Sequence, residues 1–161
     1  MKTGLVIVDA WDFRTSSKHK IHPELYIDAK AFGFFLNRVC ELERKKGTKI
    51  IHSPSPTSRH QIMEEMKVDQ KDLIVTRGRT LTDVVESADL DKIYFAGFHF
   101  GRCIHNHASE ISRSSNIVLN LSMTFPGDKW KESIKSRGVD NDFRYYMWGP
   151  SGFESMKIEN L

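Results

Sequence analysis

The sequence predicts an α/β fold in which helices cover both faces of a mostly parallel sheet of five to six strands. Two observations predict it. Short apolar runs rich in β-branched residues alternate along the chain with stretches of helical periodicity. The first run, residues 5–8, is apolar at every position, which is typical of a central strand buried on both faces. We therefore expect a three-layer αβα domain with right-handed crossovers.

Local signals place the elements in order. Gly47 follows a basic last turn and ends the first helix, and Thr80 or Thr82 is the N-cap of a later one. The predicted strands cover residues 5–8, 49–52, 72–75, 92–96, 116–120 and 143–148, the last being either a strand or an aromatic flap. The predicted helices cover residues 23–46, 58–67, 81–87, 103–114 and 129–138.

Length and composition predict a single domain over residues 1–161, with 39% hydrophobic and 28% charged residues. The net charge of +3 is too small, and the basic residues are too scattered, to indicate a nucleic-acid partner. No apolar stretch is as long as a secretory signal or a membrane helix requires, so we expect no membrane partner. Two cysteines are too few for a disulfide scaffold, and a cytoplasmic protein is expected.

The polar residues that follow the predicted strands are the candidate site, because ligands bind beyond the carboxyl ends of parallel strands. Asp9 follows the first strand, where it is either a turn cap or a functional carboxylate. Cys103 opens a predicted helix whose dipole favours a thiolate, although a lone cysteine is also often a small core residue. Arg77, after the third strand, would hold both groups in their charged forms. Such a cluster suits covalent acyl transfer.

Three segments of the chain resemble the isochorismatase-like cysteine hydrolases. Residues 5–13 (LVIVDAWDF) look like the opening strand and aspartate loop of that family. Residues 92–108 (KIYFAGFHFGRCIHNHA) are similar to its second signature, in which a strand, a glycine and five further residues precede a cysteine that opens a helix. Residues 72–77 resemble the segment that carries a lysine after the third strand. The resemblance spans residues 4–124.

This resemblance implies an isochorismatase-like fold with an Asp–Lys–Cys triad. By position, Asp9 would be the base, Cys103 the nucleophile and Arg77 the residue in place of the lysine. The implied activity is metal-independent hydrolysis of a small molecule at an amide, ester or vinyl-ether-like bond, through a covalent intermediate on Cys103. The family also implies a cis peptide bond at Phe98–His99, which would direct backbone N–H groups at an oxyanion. A homo-oligomer is expected as well.

The sequence departs from the family at several points. An arginine at position 77 keeps the charge but differs in shape from lysine, so the alternative is a catalytically silent binding or assembly module. His52 and His60 have no carboxylate at metal-site spacing, so we expect no metal and no cofactor. Family members usually run longer, which predicts that pocket insertions are trimmed here.

Four residues are candidates to line a substrate pocket: Trp11, Phe13, His52 and His107. His107 lies one helical turn after Cys103 and on the same face, whereas His105 lies on another face. A weaker alternative, a flavodoxin-like redox or nucleotide-binding domain, would need a Gly-rich phosphate loop after the first strand, where the sequence has Asp9 and Trp11 instead. The aromatic residues 143–153 would pack on the last helix or meet a second subunit.

Overall fold

Seven strands form one sheet in this computed structural model, which describes residues 1–10, 23–54, 62–100, 103–111, 116–126, 144–149 and 152–156. The strands are β1 (Thr3–Val8), β2 (Lys49–Ser53), β3 (Leu73–Ile74), β4 (Lys92–Phe100), β5 (Asn116–Pro126), β6 (Arg144–Gly149) and β7 (Gly152–Met156). The helices within these ranges are α1 (Pro23–Lys45), α2 (Leu81–Ala88) and α3 (Cys103–Ile111).

The strand order is β3-β2-β1-β4-β5-β6-β7, and every neighbouring pair is parallel except β6 and β7. The chain leaves β1 toward β2 and β3 on one side and then returns to place β4 on the other side of β1. The order therefore reverses between β1 and β4, which is where an open α/β sheet forms a crevice for ligands.

Alternate residues of the central strands contribute to two separate cores. Leu5 and Ile7 of β1 pack on one face of the sheet, with Leu36 and Val39 of α1. The other face buries Val6 and Val8 of β1 against residues of α2 and α3, among them Leu81, Val84, Ile104, Ala108 and Ile111. Because strand side chains alternate between faces, a run that is apolar at every position needs cover on both sides. The described helices supply that cover and confirm helices on both faces.

Most predicted elements are present; β1, β2, β4 and β5 are longer than predicted, and β3 is shorter. The aromatic segment forms β6, which confirms the strand rather than the flap, and β7 returns antiparallel to it. The sheet thus has seven strands, more than the five to six predicted. Thr80 is the N-cap of α2: its side chain accepts the backbone N–H of Asp83, and Asp83 accepts the N–H of Thr80.

The predicted helix at 58–67 is wrong where the structure describes it. Residues 62–67 form a bridge and a turn. The backbone N–H of Met63 donates to the carbonyl of Ala10 at 3.1 Å, and the N–H of Lys67 donates to Asn37 Oδ1 at 2.8 Å. These bonds tie the segment to the end of β1 and to α1, so tertiary partners replace the i→i−4 bonds of a helix. The predicted helix at 129–138 lies outside the described residues.

Candidate active site

Asp9 lies directly beyond the carboxyl end of β1 and is 4% exposed. Its φ of +53° is in the left-handed region, which aspartate tolerates better than most non-glycine residues. Its backbone N–H donates to the carbonyl oxygen of Ser53 at 3.0 Å, so the end of β2 holds this turn in place. A buried carboxylate on a left-handed backbone is a costly arrangement, and such positions concentrate at functional sites.

Gly97 of β4 lets the backbones of β1 and β4 approach closely beside Asp9. The two strands pair Val8 with Gly97. Gly97 has a φ of +123°, and a Cβ atom built there would lie only 2.1 Å from the carbonyl oxygen of Val8. No side chain fits at that distance, so this position requires glycine. The family signature has a glycine at this position, and the close approach of β1 and β4 explains why.

Cys103 is the first residue of α3, which follows β4 after two intervening residues. The helix is anchored by Ile104, Ala108 and Ile111, all buried in the core that α3 shares with β1 and β4. Because β1 and β4 are parallel neighbours, Asp9 and the start of α3 are both placed at the same edge of the sheet, at the switch point.

The family resemblance implied a cis peptide bond at Phe98–His99. No cis peptide bond occurs among the described residues, which include both partners. Phe98 is fully buried and pairs with Phe125 of β5, and β4 continues to Phe100 through two register shifts. Gly97 and these register shifts make the end of β4 irregular.

Arg77 forms no hydrogen bond or ion pair with Asp9. It lies in an exposed turn after β3 that is closed by backbone hydrogen bonds between Thr76 and Arg79, at 3.0 and 3.2 Å. Its side chain forms no hydrogen bond or ion pair with any residue that the structure describes. The expectation that Arg77 holds Asp9 and a thiolate in their charged forms therefore has no contact to support it.

His52, a predicted pocket residue, is instead part of a buried ionic network. Its Nε2 lies 2.8 Å from Asp72 Oδ2, and Arg44 binds both oxygens of the same carboxylate. Burial alone would raise the pKa of Asp72, but hydrogen bonds from His52 and Arg44 outweigh it and hold that pKa below its ordinary value. An ionised carboxylate only accepts hydrogen bonds, so Nε2 carries the ring proton. His52 Nδ1 is buried and has no hydrogen-bond partner among the described residues.

Ser53 and His107 connect β2 to α3 on the opposite face of the sheet. The Ser53 side chain is fully buried, and its Oγ lies 2.9 Å from His107 Nδ1. His107 is half-buried and lies one turn after Cys103. Since the Ser53 carbonyl also accepts the N–H of Asp9, one residue links the aspartate turn to the helix that begins at Cys103.

Sequence reasoning missed Ser53, Asp72 and Arg44. A serine at the last position of a strand and an aspartate at the start of the next are common, and nothing in their spacing marks them as partners of histidines. Alternation along β2 is the signal that was available, because it places His52 and Ser53 on opposite faces. Their partners come from β3 and α3, which only the fold brings near.

Several of the predicted site residues lie outside the part of the chain that the structure describes. Trp11, Phe13 and His60 belong to residues 11–22 and 55–61, which the structure does not describe. Among the described residues, no group of three or more His, Cys, Asp or Glu side chains could hold a metal ion. Cys40 is a core residue: it is fully buried in α1, and burial raises the pKa of its thiol to about 12.

The fold is isochorismatase-like by its match to solved structures. An isochorismatase family protein matches with a TM-score of 0.65 at 11% identity, covering 89% of this chain and 96% of that one. The pyrazinamidase of Pyrococcus horikoshii, solved in complex with zinc, matches with a TM-score of 0.67 at 12% identity, covering 91% and 99%. The N-carbamoylsarcosine amidase from Thermoplasma acidophilum gives 0.61 at 15%, covering 84% and 92%.

These identities establish the fold alone. No protein-family model and no curated protein sequence matches the chain. The chain covers nearly the full length of the first two structures, so the expectation of a chain shorter than its relatives is wrong for them. Within the described residues, no helix is long and apolar enough to cross a membrane.

Proposed function

We propose that this protein is a hydrolase that cleaves a small molecule at an amide, ester or vinyl-ether-like bond through a covalent intermediate on Cys103. One observation carries the proposal. A buried aspartate and a helix that begins with cysteine follow two neighbouring parallel strands, at the point where the strand order reverses. Solved structures with this fold include amidases and cysteine hydrolases, which supports the reaction class.

In the proposed reaction on an amide or ester, Asp9 takes the proton of the Cys103 thiol, and the thiolate attacks the substrate carbonyl carbon. The bond to the leaving amine or alcohol breaks, the leaving group receives that proton, and a thioester remains. Water then adds to the thioester and gives one proton to Asp9, the carbon–sulfur bond breaks, the acid is released, and Asp9 returns the proton to the Cys103 thiolate. The proposal includes no metal, because the described histidine at the end of β2, His52, is already bound to Asp72.

The exposed position of Arg77 favours a second candidate, a silent member of the fold that binds a partner without turnover. The family's lysine is absent, and the residue in its place contacts no charged group within the described part of the chain. These two functions make opposite predictions for Cys103. A hydrolase forms a covalent adduct there with an acyl donor, and a silent module does not.

The test is turnover of 4-nitrophenyl acetate and of a panel of small primary amides and esters, with intact-mass detection of the adduct. We expect Cys103→Ser and Asp9→Asn each to lower turnover at least about 100-fold. Cys40→Ala, which removes the buried thiol, should retain turnover once its folding is verified by circular dichroism. Wild-type turnover in Cys103→Ser, or no adduct with any donor, would refute the hydrolase and leave the silent module.

A further inference from the structure

The buried hydrogen bond between Ser53 and His107 determines which ring nitrogen of His107 carries the proton. A serine hydroxyl has one proton to donate and lone pairs that accept. Ser53 is fully buried, and its only side-chain partner in the described structure is His107 Nδ1. If the ring donated to Oγ, the hydroxyl proton would be buried without an acceptor. If the hydroxyl donates to Nδ1, both groups are satisfied, which is the rule for buried polar groups.

The neutral ring of His107 therefore carries its proton on Nε2. This atom makes no hydrogen bond with any described residue, and the side chain is half-buried rather than enclosed. His107 thus offers one N–H donor, held in orientation through its other nitrogen. Donors fixed in this way are effective because the ring does not need to reorient when a negative charge appears.

The position of His107 relative to Cys103 indicates which group accepts a hydrogen bond from this N–H. Residues four apart on a helix are neighbours on one face, and α3 begins with Cys103. Arg77, the residue that the motif would place near the thiol, lies in an exposed turn and pairs with no described group. His107 thus offers an N–H donor at this edge of the sheet. The described turn after β3 contributes no basic side chain to the site.

We propose that His107, oriented by Ser53, donates a hydrogen bond from Nε2–H to the thiolate of Cys103 and stabilises it in place of a basic residue after β3. Ser53 acts through His107 and is a positioning residue. The inference rests on the proposed function in taking Cys103 as the reacting group. Asp9 keeps its role as the proton acceptor, and no proton leaves His107 in this step.

Other charged groups near α3 do not account for the same effect. On β1, β2, α2, β4 and α3 itself, the described charged residues nearest this helix are Asp9, Asp83, Glu86, Lys92 and Glu110, with Lys49 at the far end of β2. The other titratable groups on these elements are His52, which is bound to Asp72, His99 on β4 and His105 on another face of α3. Asp83 is exposed and bound to Thr80, Glu86 and Glu110 are exposed, and Lys92 is at the opposite end of β4. These carboxylates would disfavour a thiolate, whereas the N-terminus of α3 and the Nε2–H of His107 would favour it.

The experiment is the pH dependence of iodoacetamide alkylation of Cys103 from pH 5 to 9, followed by peptide mass spectrometry on the full chain. The wild type should show a midpoint below about 7, against a free-thiol value near 8.5. His107→Leu should raise that midpoint by about one pH unit, the scale of a lost hydrogen bond to a charged group. His105→Leu, which removes an imidazole two residues from Cys103, and Arg77→Gln should both leave it unchanged.

A double-mutant cycle separates positioning by Ser53 from a general loss of structure. Ser53→Ala should raise the midpoint in the wild-type background and have no further effect in the His107→Leu background, because Ser53 acts only through His107. An unchanged midpoint in His107→Leu, or a wild-type midpoint near 8.5, overturns the inference. A His107-dependent midpoint without any turnover would instead refute the proposed hydrolase and leave the hydrogen bond standing.

Discussion

Ser53 Oγ lies 2.9 Å from His107 Nδ1, and this hydrogen bond joins the carboxyl end of β2 to the first full turn of α3. The carbonyl oxygen of Ser53 meanwhile accepts the N–H of Asp9 at 3.0 Å. The aspartate turn and the helix that begins at Cys103 are therefore bridged by one fully buried residue. A displacement of either element would have to break a buried hydrogen bond, which keeps the two parts of the candidate site in register.

Replacing Gly97 should destabilise the protein more than any other glycine substitution in its described strands. Gly97→Ala puts a Cβ atom 2.1 Å from the carbonyl oxygen of Val8 on a backbone with φ of +123°. Left-handed strain and overpacking together predict a loss of at least about 3 kcal/mol in the free energy of unfolding. Urea denaturation followed by circular dichroism measures it.

Gly78→Ala is the matched control for that experiment. A Cβ atom at Gly78 meets nothing within 4 Å, and its φ is outside the left-handed region. We expect a change within about 0.5 kcal/mol. Equal losses at positions 97 and 78 would contradict the close approach of β4 to the end of β1.

Asp9→Asn should distinguish the effect of the Asp9 charge on turnover from the effect of its backbone conformation on stability. Asparagine tolerates φ of +53° as well as aspartate does, so the fold should persist while the proposed base is lost. Asp9→Ala loses the charge and also suffers the backbone strain, about 1 kcal/mol or more. Comparing unfolding midpoints with turnover tests this. If both variants unfold at the same urea concentration, the backbone of Asp9 is not strained.

The fold class and the order of elements along the chain were predictable from the sequence because their signals are local. The apolar runs at residues 5–8 and 92–96, the stop at Gly47 and the cap at Thr80 each depend on a few neighbouring residues. The positions of side chains at the carboxyl edge of the sheet were less predictable. The motif placed Arg77 at the site, but a tight backbone turn from Thr76 to Arg79 exposes it, and such a turn depends on the end of β3 rather than on the motif.

Contacts between distant residues explain the rest of what the sequence did not reveal. In the sequence, His52 is equally compatible with a place in a pocket and with a place in an ionic network. The distance of 2.8 Å between its Nε2 and Asp72 Oδ2 establishes the network. For Ser53, alternation along β2 indicated only the face of the sheet, since its role arises from a partner 54 positions away in the chain. Pairings of this kind follow from β-strand register and helix packing, which one sequence does not specify residue by residue.

The two cysteines should differ sharply in native alkylation. Cys40 is fully buried, and burial raises the pKa of its thiol to about 12, so neither access nor thiolate is available between pH 5 and 9. We expect iodoacetamide to modify Cys40 only after unfolding in urea, whereas Cys103 is modified in the native protein. Peptide mass spectrometry distinguishes the sites. Rapid native labelling of Cys40 would contradict the packing of α1 on the sheet.

The network around Asp72 should make stability depend on pH in the acid range. The folded-state pKa of Asp72 is held below its unfolded value of about 3.9, so its contribution is fully present above that pH and is lost as the pH falls through and below 4. Asp72→Asn leaves Arg44 and His52 without their carboxylate, and about 3 kcal/mol should be lost at pH 7. Urea denaturation at pH 7, 5 and 3 should show the difference in unfolding free energy between wild type and variant shrinking only at pH 3.

Asp89→Asn is the control, because it removes only an exposed ion pair with Lys2 and should change stability little. A difference that stays constant from pH 7 to pH 3 would mean that the charge of Asp72 does not stabilise the fold.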